Sequence, residues 1–238
     1  MPAIERFDIL IIGGGVNGAG IARDAAFAFY YADDLQAFEQ SGATLVPIDM
    51  INDKALPDID GLFIGGGFPE IQMAKLAANS DMRHHLKAAL GNGLPCYAEC
   101  GGLMYLFASL TWNGETHEMV AAISGDVVMH KRPRGRGYVV FTARDTHPWA
   151  DAGTSTNAHE FHYASLENLP RETCFARDLS RGAGIDGRHD AIVQGNTVAG
   201  FCHLRNAADT PWVADFLGFV RLCKTGGRKA RAGQSVPG

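Results

Sequence analysis

Apolar and polar residues repeat with two different periods along the first half of the chain, between residues 32 and 106. Stretches with apolar residues at helical spacing alternate with short apolar runs, and glycines or prolines often separate the two. In order, the pattern predicts a helix at 33–41, strands at 43–48 and 61–64, a helix at 71–90, a strand at 94–99 and a helix from 103. Strands that alternate with helices build a mostly parallel sheet with helices on both faces. We therefore expect a three-layer α/β fold.

The second half of the chain is less helical. Its predicted elements are strands at 120–128, 137–141, 159–163 and 197–204 and a closing helix at 211–222. Residues 223–238 are rich in Gly, Lys and Arg, which predicts a disordered basic tail. We expect one domain over residues 27–222, preceded by a separate head over residues 1–26.

Composition narrows the class of protein. A chain of 238 residues with 46% hydrophobic content can bury one good core. Its net charge of −5 argues against nucleic-acid binding, and no apolar run approaches the roughly 18 residues of a membrane helix. Acidic Glu5 and Asp8 argue against a secretory signal, and five irregularly spaced cysteines suit a reducing cytosol. We expect a cytoplasmic protein without nucleic-acid or membrane contacts, and no zinc site because Cys96 and Cys100 lack a second nearby pair.

The stretch LPCYAECGG at 94–102 combines a short apolar strand with a glycine pair at its end. Ala98 and Gly102 lie two positions either side of Cys100, and small residues there permit the sharp turn of a nucleophile elbow. The helix predicted from residue 103 would point its N-terminal amides at the sulfur and favour the thiolate. The sequence thus predicts a nucleophilic Cys100, with a buried structural cysteine as the alternative.

Three consecutive glycines at 65–67 follow the strand predicted at 61–64. Loops at the carboxyl ends of parallel strands build the site of a doubly wound sheet. Glycines there can present bare backbone N–H groups to an oxyanion, together with the amide of Gly101 just after the cysteine. The alternative is a turn that needs positive φ, for which one glycine would be enough.

His203 ends the apolar strand predicted at 197–204. A cysteine nucleophile needs a histidine that is distant in sequence and adjacent in space, so His203 is the candidate base, with a half-buried polar group as the alternative. The basic loop at 131–136 suits a polycarboxylate ligand or is simply solvated. His159 and His162 make a weak metal site, because residues three apart in a strand face opposite ways.

The beginning of the chain carries a dinucleotide fingerprint, Gly13-x-Gly15-x-x-Gly18, after an apolar strand. The full motif continues through a helix and a second strand to an acidic residue that holds the ribose. Asp33 lies at about the right distance, but the intervening segment is short for both elements. We expect these glycines to be vestigial and to bind no dinucleotide.

Six segments resemble, in the same order, the glutaminase half of the cobyrinic acid a,c-diamide synthases, which are class I glutamine amidotransferase-like enzymes. They are ARDAAFAFYYADDL (22–35), DGLFIGGGFPE (60–70), LPCYAECGGLMYL (94–106), RGYVVF (136–141), HEFHYASL (159–166) and VAGFCHL (198–204). The resemblance runs from about residue 21 to residue 219. It implies the class I glutamine amidotransferase-like fold, and ammonia release from glutamine through a cysteinyl thioester for the amidation of a tetrapyrrole in cobalamin-type biosynthesis.

The resemblance also assigns a catalytic pair, an oxyanion and glutamine-binding region, and candidate contacts of a tetrapyrrole polycarboxylate. The catalytic pair is Cys100 as nucleophile and His203 as base. The oxyanion and glutamine-binding region is Gly66, Gly67 and Gly101. The candidate tetrapyrrole contacts are Arg136, Tyr138, His159 and His162. In the resembled enzymes the acceptor carboxylates are activated with ATP. We therefore expect ATP and Mg²⁺ only on a separate synthetase domain or subunit, and no cofactor or metal in this chain.

Three features depart from the resembled family. The chain contains no Gly-x4-Gly-Lys-Ser/Thr P-loop. Arg205 occupies the place where the family usually has a second histidine. It also excludes the glutamate that other class I amidotransferases have two residues after the histidine, which leaves Glu160, Glu99 or a backbone carbonyl to orient His203. Residues 1–26 resemble the FAD-binding start of an aerobic glycerol-3-phosphate dehydrogenase, which predicts a chimeric head. The alternative functions are a non-catalytic tetrapyrrole-binding or scaffold domain and an FAD-dependent oxidoreductase fragment.

Overall fold

The structure, a computed structural model, describes residues 18–226. The strands are β1 (Ala19–Ala22), β2 (Phe27–Phe29), β3 (Leu45–Ile48), β4 (Gly61–Ile64), β5 (Gly66–Gly67), β6 (Cys96–Glu99), β7 (Ser109–Trp112), β8 (Glu115–Glu118), β9 (Asp126–Met129), β10 (Gly135–Ala143), β11 (Ser155–His162), β12 (Ala164–Glu167), β13 (Phe175–Arg181), β14 (His189–Gln194) and β15 (Thr197–Gly200). The helices are α1 (Ala32–Gln40), α2 (Pro69–Ala78), α3 (Ser80–Gly91), α4 (Gly101–Leu106) and α5 (Trp212–Lys224). None of these described helices is long and apolar enough to cross a membrane.

Nine strands form one sheet through the middle of the described chain, in the order β11–β10–β13–β14–β15–β6–β4–β1–β3. Neighbouring strands pair in parallel from β15 to β3 and antiparallel from β11 to β15. Two smaller sheets, β12–β9–β7–β8 and β2–β5, complete the described strands. Because parallel strands end at the same edge of a sheet, the carboxyl ends of β4, β6 and β15 lie side by side.

Helices cover both faces of the large sheet. On one face, Phe38 of α1 and Trp212 of α5 pack their rings against Phe63 of β4. On the other face, the apolar sides of α2, α3 and α4 share a core with buried residues of the four-stranded sheet. The predicted three-layer α/β fold is confirmed.

The helix predicted at 71–90 is two helices, because Asn79 interrupts it. The Asn79 side-chain amide donates to the backbone carbonyls of Met50, Ile51 and Asp53, at 2.8–3.1 Å. Its side-chain oxygen accepts from the N–H of Met82 in the first turn of α3. One asparagine therefore ends α2, caps α3 and ties both helices to the loop after β3.

The sheet begins earlier than the predicted domain boundary at residue 27. β1 lies between β3 and β4, inside the parallel part of the sheet. The chain then turns at Asp24, whose carboxylate accepts from the N–H groups of Ala26, Phe27 and Met50. The part of the predicted head from residue 19 onward thus belongs to the main domain. At the other end α5 continues to Lys224, and residues 227–238 of the predicted tail lie outside the described residues.

Candidate active site

Cys100 lies between β6 and α4 with a backbone φ of 48° and ψ of −99°, which residues other than glycine rarely adopt. Gly102 permits this turn, because a Cβ atom there would lie only 2.2 Å from the Ile64 carbonyl oxygen. The Cys100 side chain is 7% exposed, and its thiol donates a 3.8 Å hydrogen bond to the Phe161 carbonyl. This is the geometry of a nucleophile elbow at the end of a parallel strand.

His203 follows β15, which pairs in parallel with β6. The Cys100 N–H joins the two strand ends by donating to the Gly200 carbonyl at 2.8 Å, and the His203 residue is 5% exposed. Burial acts to lower the pKa of His203, but its interactions with Cys100 and Glu99 outweigh burial and raise this pKa to about 10. At neutral pH the imidazole therefore carries a proton beside the cysteine sulfur.

Glycine backbone closes the site around these two side chains. Gly66 and Gly67 form β5, and a Cβ atom on Gly66 would lie 2.8 Å from Cε1 of His203. A Cβ atom on Gly101 would lie 3.0 Å from the backbone nitrogen of Gly67. The Gly101 N–H, at the first position of α4, has no acceptor among the described residues. The structure thus brings the three predicted oxyanion glycines together with Cys100 and His203.

Glu99, immediately before the cysteine, is 3% exposed. Its Oε2 lies 3.5 Å from Nδ1 of His203. Its Oε1 accepts from the Tyr97 hydroxyl at 2.7 Å and from the Leu204 N–H at 2.8 Å. One carboxylate oxygen is therefore held by the protein, while the other faces the imidazole.

Glu160, the other glutamate that the sequence suggested, and Arg205, which stands where a glutamate is usual, both point elsewhere. The Glu160 carboxylate accepts from the backbone N–H groups of Ala183 and Gly184, at 2.6 and 2.8 Å. The Arg205 side chain is 65% exposed and pairs with Asp33 at 2.7 Å. Of the two glutamates that the sequence suggested, Glu99 is the one that approaches His203.

Of the four candidate tetrapyrrole contacts, one lies beside His203, two are exposed on a neighbouring strand, and one is buried away from the site. His159 pairs through its backbone with His203, and the two rings stack at 5.1 Å. Arg136 and Tyr138 are exposed on the neighbouring strand β10, with the Arg136 guanidinium 5.9 Å from the Phe161 ring. The prediction for His162 is corrected.

His162 is 4% exposed, and its ring stacks on Phe201 at 3.8 Å. Its Nδ1 lies 3.0 Å from the Ala164 carbonyl oxygen. It faces away from His159 because the two residues are three apart in β11. His162 is therefore a core residue and cannot contact a ligand at this site.

The described part of the fingerprint segment lacks the helix that a dinucleotide site needs. Gly13 and Gly15 lie outside the described residues. Gly18 is followed by strand β1, and its carbonyl accepts from the Asp60 N–H at 2.8 Å. A pyrophosphate would require a helix N-terminus directly after the glycines. The described residues also contain no group of three or more His, Cys, Asp or Glu side chains arranged to hold a metal.

The sequence analysis missed the aromatic residues that build one wall of the site. Phe29, 51% exposed, meets the His203 ring edge-on at 5.8 Å. The Tyr31 hydroxyl lies 2.9 Å from Nε2 of His159, and the Tyr30 hydroxyl accepts from the Gly65 N–H at 3.1 Å. The signal was present in the sequence, since four of the five residues at 27–31 are aromatic.

Solved structures with this architecture identify the fold. PurLQS of Thermotoga maritima matches with a TM-score of 0.64 at 12% identity, over 88% of this chain and 99% of that chain. A glutamine amidotransferase of the same organism matches with a TM-score of 0.54 at 13% identity, over 90% of this chain and 86% of that chain. At such identities the likeness shows the fold, which is that of the class I glutamine amidotransferases.

The family follows from the sequence. A family model described as the CobB/CobQ-like glutamine amidotransferase domain matches residues 18–210, and the chain belongs to this family. It is 39% identical over 207 residues to a cobyrinate a,c-diamide synthase of Magnetococcus marinus, covering 87% of this chain and 44% of that protein. It is 40% identical over 202 residues to one of Methanosarcina acetivorans, covering 79% of this chain and 40% of that protein. The predicted family is confirmed, and the chain spans less than half the length of these relatives.

Proposed function

We propose that this chain is the glutaminase part of an ATP-dependent amidotransferase that acts on a tetrapyrrole polycarboxylate. The relatives' name, cobyrinate a,c-diamide synthase, supports a corrin acceptor. Glutamine is the nitrogen donor. A separate synthetase part activates the acceptor carboxylate and receives the ammonia.

The reaction proceeds through a cysteinyl thioester. The Cys100 sulfur attacks the side-chain carboxamide carbon of glutamine, while the Gly101 N–H and the glycine backbone at 66–67 bind the oxyanion. Protonated His203 gives its proton to the nitrogen as the C–N bond breaks, and ammonia leaves. Neutral His203 then takes a proton from water, which attacks the thioester to release glutamate and regenerate the thiolate.

The observation that carries this proposal is the meeting of Cys100 and His203 at the ends of two adjacent parallel strands. The elbow turn and the glycine loop place a nucleophile, a proton donor and backbone N–H groups around one point, which is the set that acyl transfer requires. The imidazolium form of His203, with its pKa raised to about 10 despite burial, suits a group that protonates a leaving amine.

ATP and Mg²⁺ belong to the synthetase part in this proposal. The sequence has no P-loop, and the described residues offer no cluster of metal-ligating side chains. Arg136, Tyr138 and His159 are the residues of this chain that face the acceptor. We place the protein in the cytoplasm, since no disulfide joins any of its five cysteines in the described structure.

Glutamine hydrolysis tests the proposal. Ammonia release by the wild-type chain, with and without a candidate synthetase subunit, is compared with that of Cys100→Ala. We expect hydrolysis that depends on Cys100 and is stimulated by the synthetase. Saturable binding of a corrin by a chain that hydrolyses no glutamine in either condition would favour the non-catalytic tetrapyrrole-binding domain instead.

A further inference from the structure

Neighbouring residues hold both the backbone and the ring of His203. The backbone N–H of His203 donates to the His159 carbonyl at 2.8 Å, and the backbone N–H of His159 donates to the His203 carbonyl at 3.4 Å. The two imidazole rings stack with an interplanar angle of 15°, and Phe29 meets the His203 ring edge-on. None of these contacts engages Nδ1 of His203.

Nδ1 of His203 is buried and forms no hydrogen bond of normal geometry with any described residue. Oε2 of Glu99, at 3.5 Å, is the carboxylate oxygen in contact with it. The partner of one imidazole nitrogen decides which tautomer the ring adopts and how the other nitrogen is aimed. A shift of about 0.5 Å would bring this contact to hydrogen-bond length.

Glu99 is held so that one oxygen remains for His203. Tyr97 and Glu99 lie on the same face of β6 because they are two residues apart, and the Tyr97 hydroxyl donates to Oε1 of Glu99. The fully buried Arg177 donates to the same hydroxyl at 3.2 Å. A chain of contacts therefore runs from Arg177 through Tyr97 and Glu99 to His203.

The same arginine also supports the backbone that carries the histidine. Arg177 contacts Oδ2 of Asp190 at 3.4 Å, and both residues are fully buried. The Asp190 carboxylate accepts from the N–H groups of Phe201 and Cys202, at 2.8 and 3.2 Å. These are the two residues that precede His203, so both ends of the Glu99–His203 contact are tied to one network.

We propose that Glu99 is the positioning residue for His203, contributed by the strand of the nucleophile rather than by the segment after the base. This inference rests on the proposed function. It explains how a glutaminase of this fold works with an exposed arginine at position 205, and it makes Tyr97 and Arg177 the supports of that carboxylate.

The test compares Glu99→Gln, Glu99→Asp and a matched control in the glutaminase assay. In Glu99→Gln the amide oxygen still accepts from Tyr97 and Leu204, but an N–H donor now faces Nδ1 of His203. We expect kcat to fall at least about 10²-fold with KM within about 3-fold, since the wrong tautomer impairs proton transfer and leaves glutamine binding intact. Glu99→Asp should recover part of this loss.

The control is Asp34→Asn, which neutralises another buried carboxylate near the site. Oδ1 of Asp34 accepts from the Asn206 N–H and from Nε1 of Trp212, and an asparagine oxygen can replace it in both bonds. We expect its kcat to stay within about 3-fold of wild type. Equal losses in Glu99→Gln and Asp34→Asn, or an unchanged kcat in Glu99→Gln, would overturn the proposal.

A second readout does not need glutamine turnover. The rate of Cys100 alkylation by iodoacetamide at pH 7, followed by mass mapping, should fall about tenfold in Glu99→Gln but not in Asp34→Asn, because a misoriented imidazole no longer assists the reaction of the sulfur. If wild type hydrolyses no glutamine, the proposed function fails, and this difference in alkylation rate alone decides the role of Glu99.

Should Glu99→Gln not fold, Tyr97→Phe replaces it as the test variant. We expect Tyr97→Phe to lower both kcat and the alkylation rate about tenfold, and unchanged values would contradict the proposal.

Discussion

The central sheet has a parallel part of five strands, β15, β6, β4, β1 and β3, and an antiparallel part of four strands, β14, β13, β10 and β11. The candidate site residues on the two parts differ in their exposure to solvent. At the ends of the parallel strands, Cys100, Glu99 and His203 are 7%, 3% and 5% exposed. On the antiparallel strand β10, Tyr138 is 76% exposed and Arg136 is also exposed. Parallel strands that end together hold Cys100 near His203, the proposed nucleophile and base, whereas the antiparallel part has the exposed surface that we propose for the acceptor.

Two buried histidines show how the surroundings differ between these parts. At the parallel edge, contacts with Cys100 and Glu99 overcome burial and raise the pKa of His203 to about 10. In the loop after β10, burial lowers the pKa of His147 to about 3, and the positive charge of Arg177 adds to the effect. The contacts with Cys100 and Glu99 keep one imidazole charged, while a buried cation helps to keep the other neutral.

Removing Cys100, the proposed nucleophile, should have the largest effect. We expect Cys100→Ala to lower glutamine turnover by roughly 10⁴-fold or more, because no other group at the elbow can form the thioester. The control is Cys96→Ala, at the start of β6, where burial raises the thiol pKa. It should stay within about 3-fold of wild type. Preferential iodoacetamide labelling of Cys96 or Cys202, with Cys100 inert, would contradict the assignment.

Replacing His203, the proposed base, should lower glutamine turnover less than replacing Cys100 does. His203→Asn should lower kcat about 10²–10⁴-fold, the usual contribution of general acid–base catalysis, with glutamine binding retained. Arg205→Ala serves as the control because its side chain is exposed and pairs with Asp33. Steady-state kinetics should show a kcat within about 3-fold of wild type for this control. A loss in Arg205→Ala as large as that in His203→Asn would mean that the site is organised differently.

Within the parallel part, features set by nearby residues were easier to predict than features set by distant ones. The Cys100 elbow needs small residues within two positions of the cysteine, so its signal is local. The break at Asn79 depends on carbonyls of residues 50–53, more than 25 positions away. The proximity of Glu99 to His203 depends on the pairing of β6 with β15, about 100 residues apart. Contacts between residues so far apart in sequence leave no periodic pattern along the chain. The segment that contains His203 could still be recognised, because it resembles the corresponding motif of the family.

The neutral histidine of the antiparallel part should make the fold sensitive to acid. Nδ1 of His147 accepts from the Ala150 N–H at 3.1 Å. Because the folded pKa lies near 3 and the unfolded value near 6.5, only the unfolded chain gains a proton just below pH 6.5. This group should therefore destabilise the fold by about 1 kcal/mol between pH 7 and pH 5.5. Urea unfolding of wild type and His147→Asn at both pH values measures the difference, and parallel pH dependences of the two proteins would contradict it.

The smallest effect should come from the exposed acceptor surface. We expect Arg136→Ala to weaken binding of cobyrinic acid about 2- to 5-fold, since an exposed charge pair contributes only about 0.5–1 kcal/mol. Titration of the corrin against tryptophan fluorescence measures the Kd at fixed ionic strength, and the loss should shrink at high salt because exposed charges are screened. Arg171→Ala, which removes another exposed arginine in the turn after β12, controls for net charge. An equal change in the Kd of both variants would indicate non-specific electrostatic attraction. A raised KM for glutamine in Arg136→Ala would mean that this arginine contacts glutamine and not the tetrapyrrole. A loss confined to corrin binding would divide the sheet as proposed, with its parallel edge holding glutamine and its antiparallel surface meeting the tetrapyrrole.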